Sequence, residues 1–154
     1  MGWISLQAGV LRRLDALATR LDIRRGRREA AHLRTGVRGE REALFHLRSL
    51  GYTVMARRWR TPKLRGDIDL VAWDGDWLCF VEVKTRGSRG IVSAEAAIDE
   101  DKQLMLRRMA RAYLRGFPEP ARSRIPVRFD AVSVYLLPSG CEFEVRRGAF
   151  PVFP

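Results

Sequence analysis

The chain has 154 residues, 46% of them hydrophobic and 31% charged, enough apolar material for one self-sufficient core and too much for wholesale disorder. Its 29 Lys and Arg against 18 Asp and Glu leave a formal charge of +11, which favours a polyanionic partner, nucleic acid ahead of an anionic membrane. The isolated Cys79 and Cys141 exclude a disulfide framework and lack the neighbours of a zinc site, and no apolar run is long enough to span a bilayer.

The opening MGWISLQAGVLRRLDALATR lacks the basic, then apolar, then small-residue order of a secretory signal, and Leu6 stands where N-myristoylation needs Ser or Thr. The expected compartment is the cytoplasm. Residues 1 to about 35 form a basic N-terminal extension, with Leu11, Leu14, Leu17 and Leu21 at helical spacing ahead of the Arg-rich RRGRREAAHLR. An amphipathic helix, a basic arm on nucleic acid and a partly ordered tail all fit this segment. Residues 36–154 make up the domain proper.

From Gly36 the pattern TGVRGEREALFHLRSLGY predicts a helix with Ala43, Leu44, Leu47 and Leu50 on its apolar face and Gly51 as its stop. YTVMARRWR alternates as a first strand, and TPKLRG interrupts it with Pro62 and Gly66. DIDLVAWDGDWLCFVEVKTR then reads as two strands about a turn at Asp74-Gly75, followed by a Gly- and Ser-containing loop, TRGSRG. A second helix is expected from a cap at Asp99 to about Leu114, with Ile98, Met105, Met109 and Ala112 or Tyr113 on its apolar side and Arg107, Arg111 and Arg115 on another. GFPEPARSRIP is loop, VRFDAVSVYL a fourth strand and CEFEVRR a fifth at the edge. The order α-β-β-β-α-β-β predicts an α/β fold with one mixed sheet flanked by helices.

Within the hairpin, strand alternation puts Leu78, Phe80, Glu82 and Lys84 on one face, and Asp67, Asp69, Val71 and Trp73 share a face of the preceding strand. A two-residue loop at Asp74-Gly75 would set Asp69 diagonal to Glu82, a four-residue loop would set it directly opposite, and a three-residue loop would scatter the group. Two carboxylates gathered in an apolar sheet repel each other and lose hydration, a cost of several kcal/mol unless a cation or a proton intervenes. Mg²⁺ is the natural remedy, being a hard ion that needs only one or two protein carboxylates beside phosphate oxygens. Lys84, on the same face, is placed to hold a phosphate or lower the pKa of an attacking water. A plain ion cluster at the open end of a sheet fits the same residues. The hairpin between the acids, the apolar strand around Glu82 and Lys84, and the basic chain favour a metal site.

The segments RGEREALFHLRSLGYTVMARRWR, GDIDLVAWDGDWLCFVEVKTR and IDEDKQLMLRRMARAYL closely resemble the YraN-like family of predicted endonucleases, which are similar to Holliday-junction resolvases within the PD-(D/E)XK nuclease superfamily. The resemblance covers roughly Thr35 to Leu136 and implies a restriction-endonuclease-like fold. It further implies that Asp69 and Glu82 bind Mg²⁺ or Mn²⁺, that Lys84 assists the nucleophilic water, that Glu40 on the first helix approaches them, and that Gln103 is a polar site position. Lys102 beside it could meet phosphate. The family usually has Glu where this chain has Asp67, so a shorter side chain precedes the site.

The expected substrate is DNA, branched or junction DNA included, and a homodimer would suit a symmetric junction. Arg57, Arg58 and Arg60 around Trp59, with Arg107, Arg108 and Arg111, are candidate backbone contacts. Trp59, Trp73 and Trp77 could stack on bases, although packing is expected to claim at least two of them. His32 and His46 lack partner ligands and read as ordinary helical residues. A non-catalytic nucleic-acid-binding module and an adaptor using the N-terminal helix are the competing functions.

Overall fold

The computed structural model describes residues 3–87 and 98–153, with side chains from Gly26 onward. Its core element is a five-stranded sheet built from β1 (Thr53–Trp59), β2 (Ile68–Asp74), β3 (Trp77–Arg86), β4 (Val127–Leu137) and β5 (Gly140–Phe150), in the spatial order β1-β2-β3-β4-β5. Neighbours are antiparallel except β3 and β4, which are parallel and are therefore joined by a crossover containing α2 (Glu100–Leu114). This is the predicted α/β architecture of a restriction-endonuclease-like mixed sheet with helices beside it.

Helix α1 spans Trp3–Ser49, and the chain divides into the units Met1–Thr35 and Gly36–Pro154. In the first unit the backbone is helical and every residue from Gly26 to Thr35 is exposed. The leucine face predicted at Leu11, Leu14, Leu17 and Leu21 lies outside the described side chains.

In the second unit, Ala43, Leu44 and Leu47 of α1 pack on Leu70, Ala72, Val81, Val83 and Val132, one side of the sheet. Each fully buried Leu or Val contributes about 1.5–3 kcal/mol. Leu50, predicted on the same apolar face, is instead 46% exposed: the helix ends at Ser49, and Gly51, with φ +94°, turns the chain so that Tyr52 N–H bonds Leu47 O at 3.0 Å. Gly39 lets α1 approach β3 closely, because a Cβ there would land on the Thr85 side chain.

The opposite side of the sheet is covered by α2. Asp99 caps it by accepting from Lys102 N–H at 2.8 Å, as the sequence predicts, with Glu100 and Asp101 in the first turn. Its buried stripe is Leu106, Met109 and Ala110, packed on Val71, Phe80 and Phe129. The predicted stripe is thus rotated slightly, leaving Met105 and Tyr113 at the margin of the core. A short helix, α3 (Ala121–Arg124), stands within the stretch predicted as loop. Strand β5 runs past its predicted end to Phe150, accommodated by a register shift opposite Phe129–Ala131 and by Gly148 at φ +64°. β3 ends at Arg86, as the predicted strand stretch does, so Thr85 and Arg86, which the predicted loop also took in, are strand, and Ser88–Gly90 lie outside the described residues.

Packing claims Trp59, edge-on to Tyr113, and Trp73, edge-on to Phe117, whereas Trp77 is 44% exposed beneath the Arg128 guanidinium. His46 stacks on Phe143, and its partial burial lowers its pKa. Both cysteines are free; Cys79 is buried, which pushes its thiol up to about 12 and leaves it unreactive. Among the described residues, no helix is long and apolar enough to cross a membrane.

Candidate active site

The hairpin takes the register expected of the four-residue loop, Trp73 opposite Leu78, closed by one further pair so that the turn stands one residue past Asp74-Gly75. Asp74 pairs with Trp77, so Gly75 and Asp76 form the two-residue loop, and Gly75 at φ +59° supplies the positive φ of a type II′ turn at its first position. Trp73 then pairs with Leu78 and Leu70 with Val81, and one further step of this register sets Asp69 against Glu82. The paired stretch of β2 and β3 ends at Leu70 and Val81, while β3 continues along β4 as far as Arg86 and Tyr135. Past that parting, the Asp69 carboxylate replaces a strand partner by accepting from Val83 N–H at 2.7 Å.

Glu82 is only 2% exposed. Lys84 Nζ lies 3.0 Å from its Oε1, and Lys102 Nζ, from the first turn of α2, lies 3.0 Å from its Oε2. The Lys102 ammonium neutralises Oε2 at ion-pair distance, and Oε2 has no further polar partner among the described residues. Burial, then repulsion from Glu82, pushes the Asp69 carboxyl up to about 7, against the favourable Val83 N–H and the charge of Lys102. Burial works against the charge of Lys102, but Glu82, Asp69 and Asp67 outweigh it and hold the ammonium above its ordinary range.

Glu40 accepts a two-pronged ion pair from Arg58, at 2.6 Å from Nε and 2.9 Å from Nη2, and its negative charge also bears on Asp69. Asp67 pairs with Arg60 at 2.9 Å. Asp69, Glu82, Lys84 and Lys102 are thereby brought together, with Glu40 near Asp69. Gln103 is engaged elsewhere: its amide donates to Ile98 O at 3.0 Å and accepts from Arg107 at 3.3 Å.

The candidate DNA contacts divide in the same way. Arg58 and Arg60 are held by carboxylates, and Arg107 donates to Pro151 O at 3.1 and 3.0 Å while lying over the Phe150 ring. Arg57, Arg108 and Arg111 are exposed, and Trp59 is half-buried.

Ser133 was not singled out from the sequence. It pairs in register with Lys84, is wholly buried, and its hydroxyl has no hydrogen-bond partner among the described residues. A serine in the otherwise apolar run AVSVYLL was the available signal.

A hard divalent ion suits this donor set. Two carboxylates meet at a buried point where one raises the proton affinity of the other, and the buried Glu82 Oε2 has only an ammonium beside it among the described residues. Among the described residues no three His, Cys, Asp or Glu side chains form a metal cage, so an ion here would need water or substrate oxygens to complete its shell.

The sequence model described as "Uncharacterised protein family UPF0102" matches residues 39–134, which carry every member of this cluster. The chain belongs to the UPF0102 family. A UPF0102 protein of Koribacter versatilis (strain Ellin345) is 46% identical over 140 residues, 91% of each chain. One from Solibacter usitatus (strain Ellin6076) is 47% identical over 112 residues, 73% of this chain and 82% of its own. A third UPF0102 relative, from Syntrophus aciditrophicus (strain SB), is 36% identical over 123 residues, 80% of this chain and 93% of its own. These agree with the YraN-like resemblance of the sequence. The UPF0102 match begins at Gly39, the close-approach glycine that precedes Glu40.

Proposed function

We propose that this chain is a Mg²⁺- or Mn²⁺-dependent endonuclease that hydrolyses DNA phosphodiester bonds, at branched or junction DNA, in the cytoplasm. The observation that carries the reading is the register of β2 on β3, which continues to Asp69 beside the buried Glu82, with Lys84 on Glu82. Asp69 and Glu82 are the residues that would hold the ion. When bound, it would supply positive charge to the scissile phosphate and a more acidic water.

The remaining work falls to side chains of this chain. Asp69 gives up the proton that burial and Glu82 favour, and so becomes a full anionic ligand near neutral pH. Lys84, 36% exposed at its side chain, steadies an attacking water or the charge that develops on phosphate. Lys102 can turn its ammonium from Glu82 to a phosphate oxygen. A homodimer would present two such sites to a symmetric junction.

One observation favours a second reading, a nucleic-acid-binding module without catalysis: Lys84 and Lys102 each lie 3.0 Å from a Glu82 oxygen and together neutralise it. Incubation with duplex, flap, single-stranded and four-way junction DNA in Mg²⁺ or Mn²⁺ separates the two. Cutting by the parent chain, reduced to background by Asp69→Ala and by Glu82→Ala, is expected of the nuclease. Cutting that survives both substitutions refutes the assigned site, and salt-sensitive binding without cutting supports the module.

A further inference from the structure

Several arginines are spoken for: Arg58 by Glu40, Arg60 by Asp67, Arg122 by Glu119, Arg128 by Asp74 and Asp130, and Arg107 by Pro151 O. Among the cations that are not, five stand together. Lys63, Arg65, Arg108, Arg111 and Arg115 are all exposed, and their side chains make no hydrogen bond or ion pair among the described residues. All five line two adjoining hollows, of about 350 and 430 Å³, between the β1–β2 connection and the outer face of α2. The two hollows share Lys63, Leu64 and Arg108, so they form one groove.

The groove is fixed rather than draped. Gly66, at φ +100°, brings the connection so close to α2 that a Cβ there would stand 2.8 Å from Met105 Sδ. On the helix, Arg108, Arg111 and Arg115 follow at intervals of three and four and so share one face. At 1.5 Å per residue they span about 10 Å, a length comparable to about three steps of a DNA duplex at 3.4 Å of helix axis each. Among the described residues the one acid on the groove's rim is Asp101, at the end where α2 also carries Lys102 to Glu82. The other lining residues are aliphatic or small, with no aromatic ring on which an unstacked base could rest.

The geometry points to this groove as the seat of one backbone of a DNA duplex arm, with Lys63, Arg65, Arg108, Arg111 and Arg115 as its phosphate contacts. This deepens the nuclease reading and rests on it for the link to Asp69 and Glu82, because the groove ends at the turn of α2 that reaches them. It also reassigns the basic residues: Arg58, Arg60 and Arg107 hold the protein together, and the duplex is held by the five that face the groove.

The test is fluorescence anisotropy of a short duplex, a single strand of equal length and a polyglutamate competitor, with the full-length chain in EDTA across a salt series. Lys63→Ala/Arg108→Ala/Arg111→Ala should weaken duplex binding and flatten the slope of log affinity against log salt by about 2.7, roughly 0.9 for each lost contact. A control with the same net charge, Arg41→Ala/Arg48→Ala/Arg124→Ala, should keep the parent slope. Equal loss in the control overturns the groove in favour of diffuse charge, and stronger binding of the single strand or displacement by polyglutamate overturns the duplex assignment. If the groove variant binds and cuts like the parent chain, the groove fails while the nuclease reading stands. If the parent chain binds no DNA, both fail.

Discussion

Lys102 Nζ stands 3.0 Å from Glu82 Oε2, so an ammonium at the start of α2 neutralises a carboxylate buried in β3 on the far side of a chain crossover. Removing one partner of a buried pair leaves the other charge without compensation, which is costlier than the pair is worth. The Lys102 side chain is 26% exposed and Lys84 remains on Oε1, so Lys102→Met should cost less than a fully buried case, about 1–3 kcal/mol. Chemical denaturation measures it. Mn²⁺ should restore part of the loss, because an ion held by Asp69 and Glu82, as proposed, would supply the missing charge.

Asp69 sets a pH dependence of stability. Its carboxyl holds a proton up to about pH 7 in the folded chain, but only up to its ordinary value of 3.8 when unfolded. Between those values the folded state binds more protons, so this group's contribution falls as pH rises through the window and is lowest above 7. Asp69→Asn should therefore raise stability at pH 8 by about 1–4 kcal/mol, with little change near pH 4. Thermal unfolding at the two pH values reads the difference, and an equal effect at both would contradict the account.

Arg58 combines a backbone cost with an ion pair. It is the one non-glycine residue with a positive φ among the described residues, at +46°, and that conformation aims its guanidinium at Glu40. Its side chain is 42% exposed, so the pair contributes little to stability, about 0–1 kcal/mol. The left-handed backbone costs a non-glycine residue about 1–2 kcal/mol. Arg58→Gly should thus be more stable than Arg58→Ala by about 1 kcal/mol, because both lose the pair and only Gly loses the strain. Urea midpoints of the two variants check the order.

How much of this was legible depends on the range of each interaction. Glu82 and Lys84 stood out because an apolar strand has no packing use for them, and alternation alone put them on one face. The hairpin was legible too, but Gly75 can take a positive φ at either turn position, which left two registers open, and the closing pair Asp74–Trp77 decided for a direct rather than a diagonal Asp69–Glu82 relation. The Lys102 ion pair was not legible, since it needs the crossover to return α2 over β3. Nor was the Arg58–Glu40 pair, which joins residues 18 apart through a positive φ that no composition rule assigns to arginine. Arg107 reads in sequence like Arg111; only the path of the chain through Pro151 shows that one is a brace and the other faces outward.

The central claim is that Asp69 and Glu82 jointly hold one hard divalent ion, and Mn²⁺ titration by calorimetry, without nucleic acid, tests it most directly. The account predicts saturable binding to the parent chain with proton release, weakening as pH falls below about 7, and loss of binding in both Asp69→Asn and Glu82→Gln. Binding of undiminished strength in either variant, or no binding to the parent chain at pH 8, would contradict it.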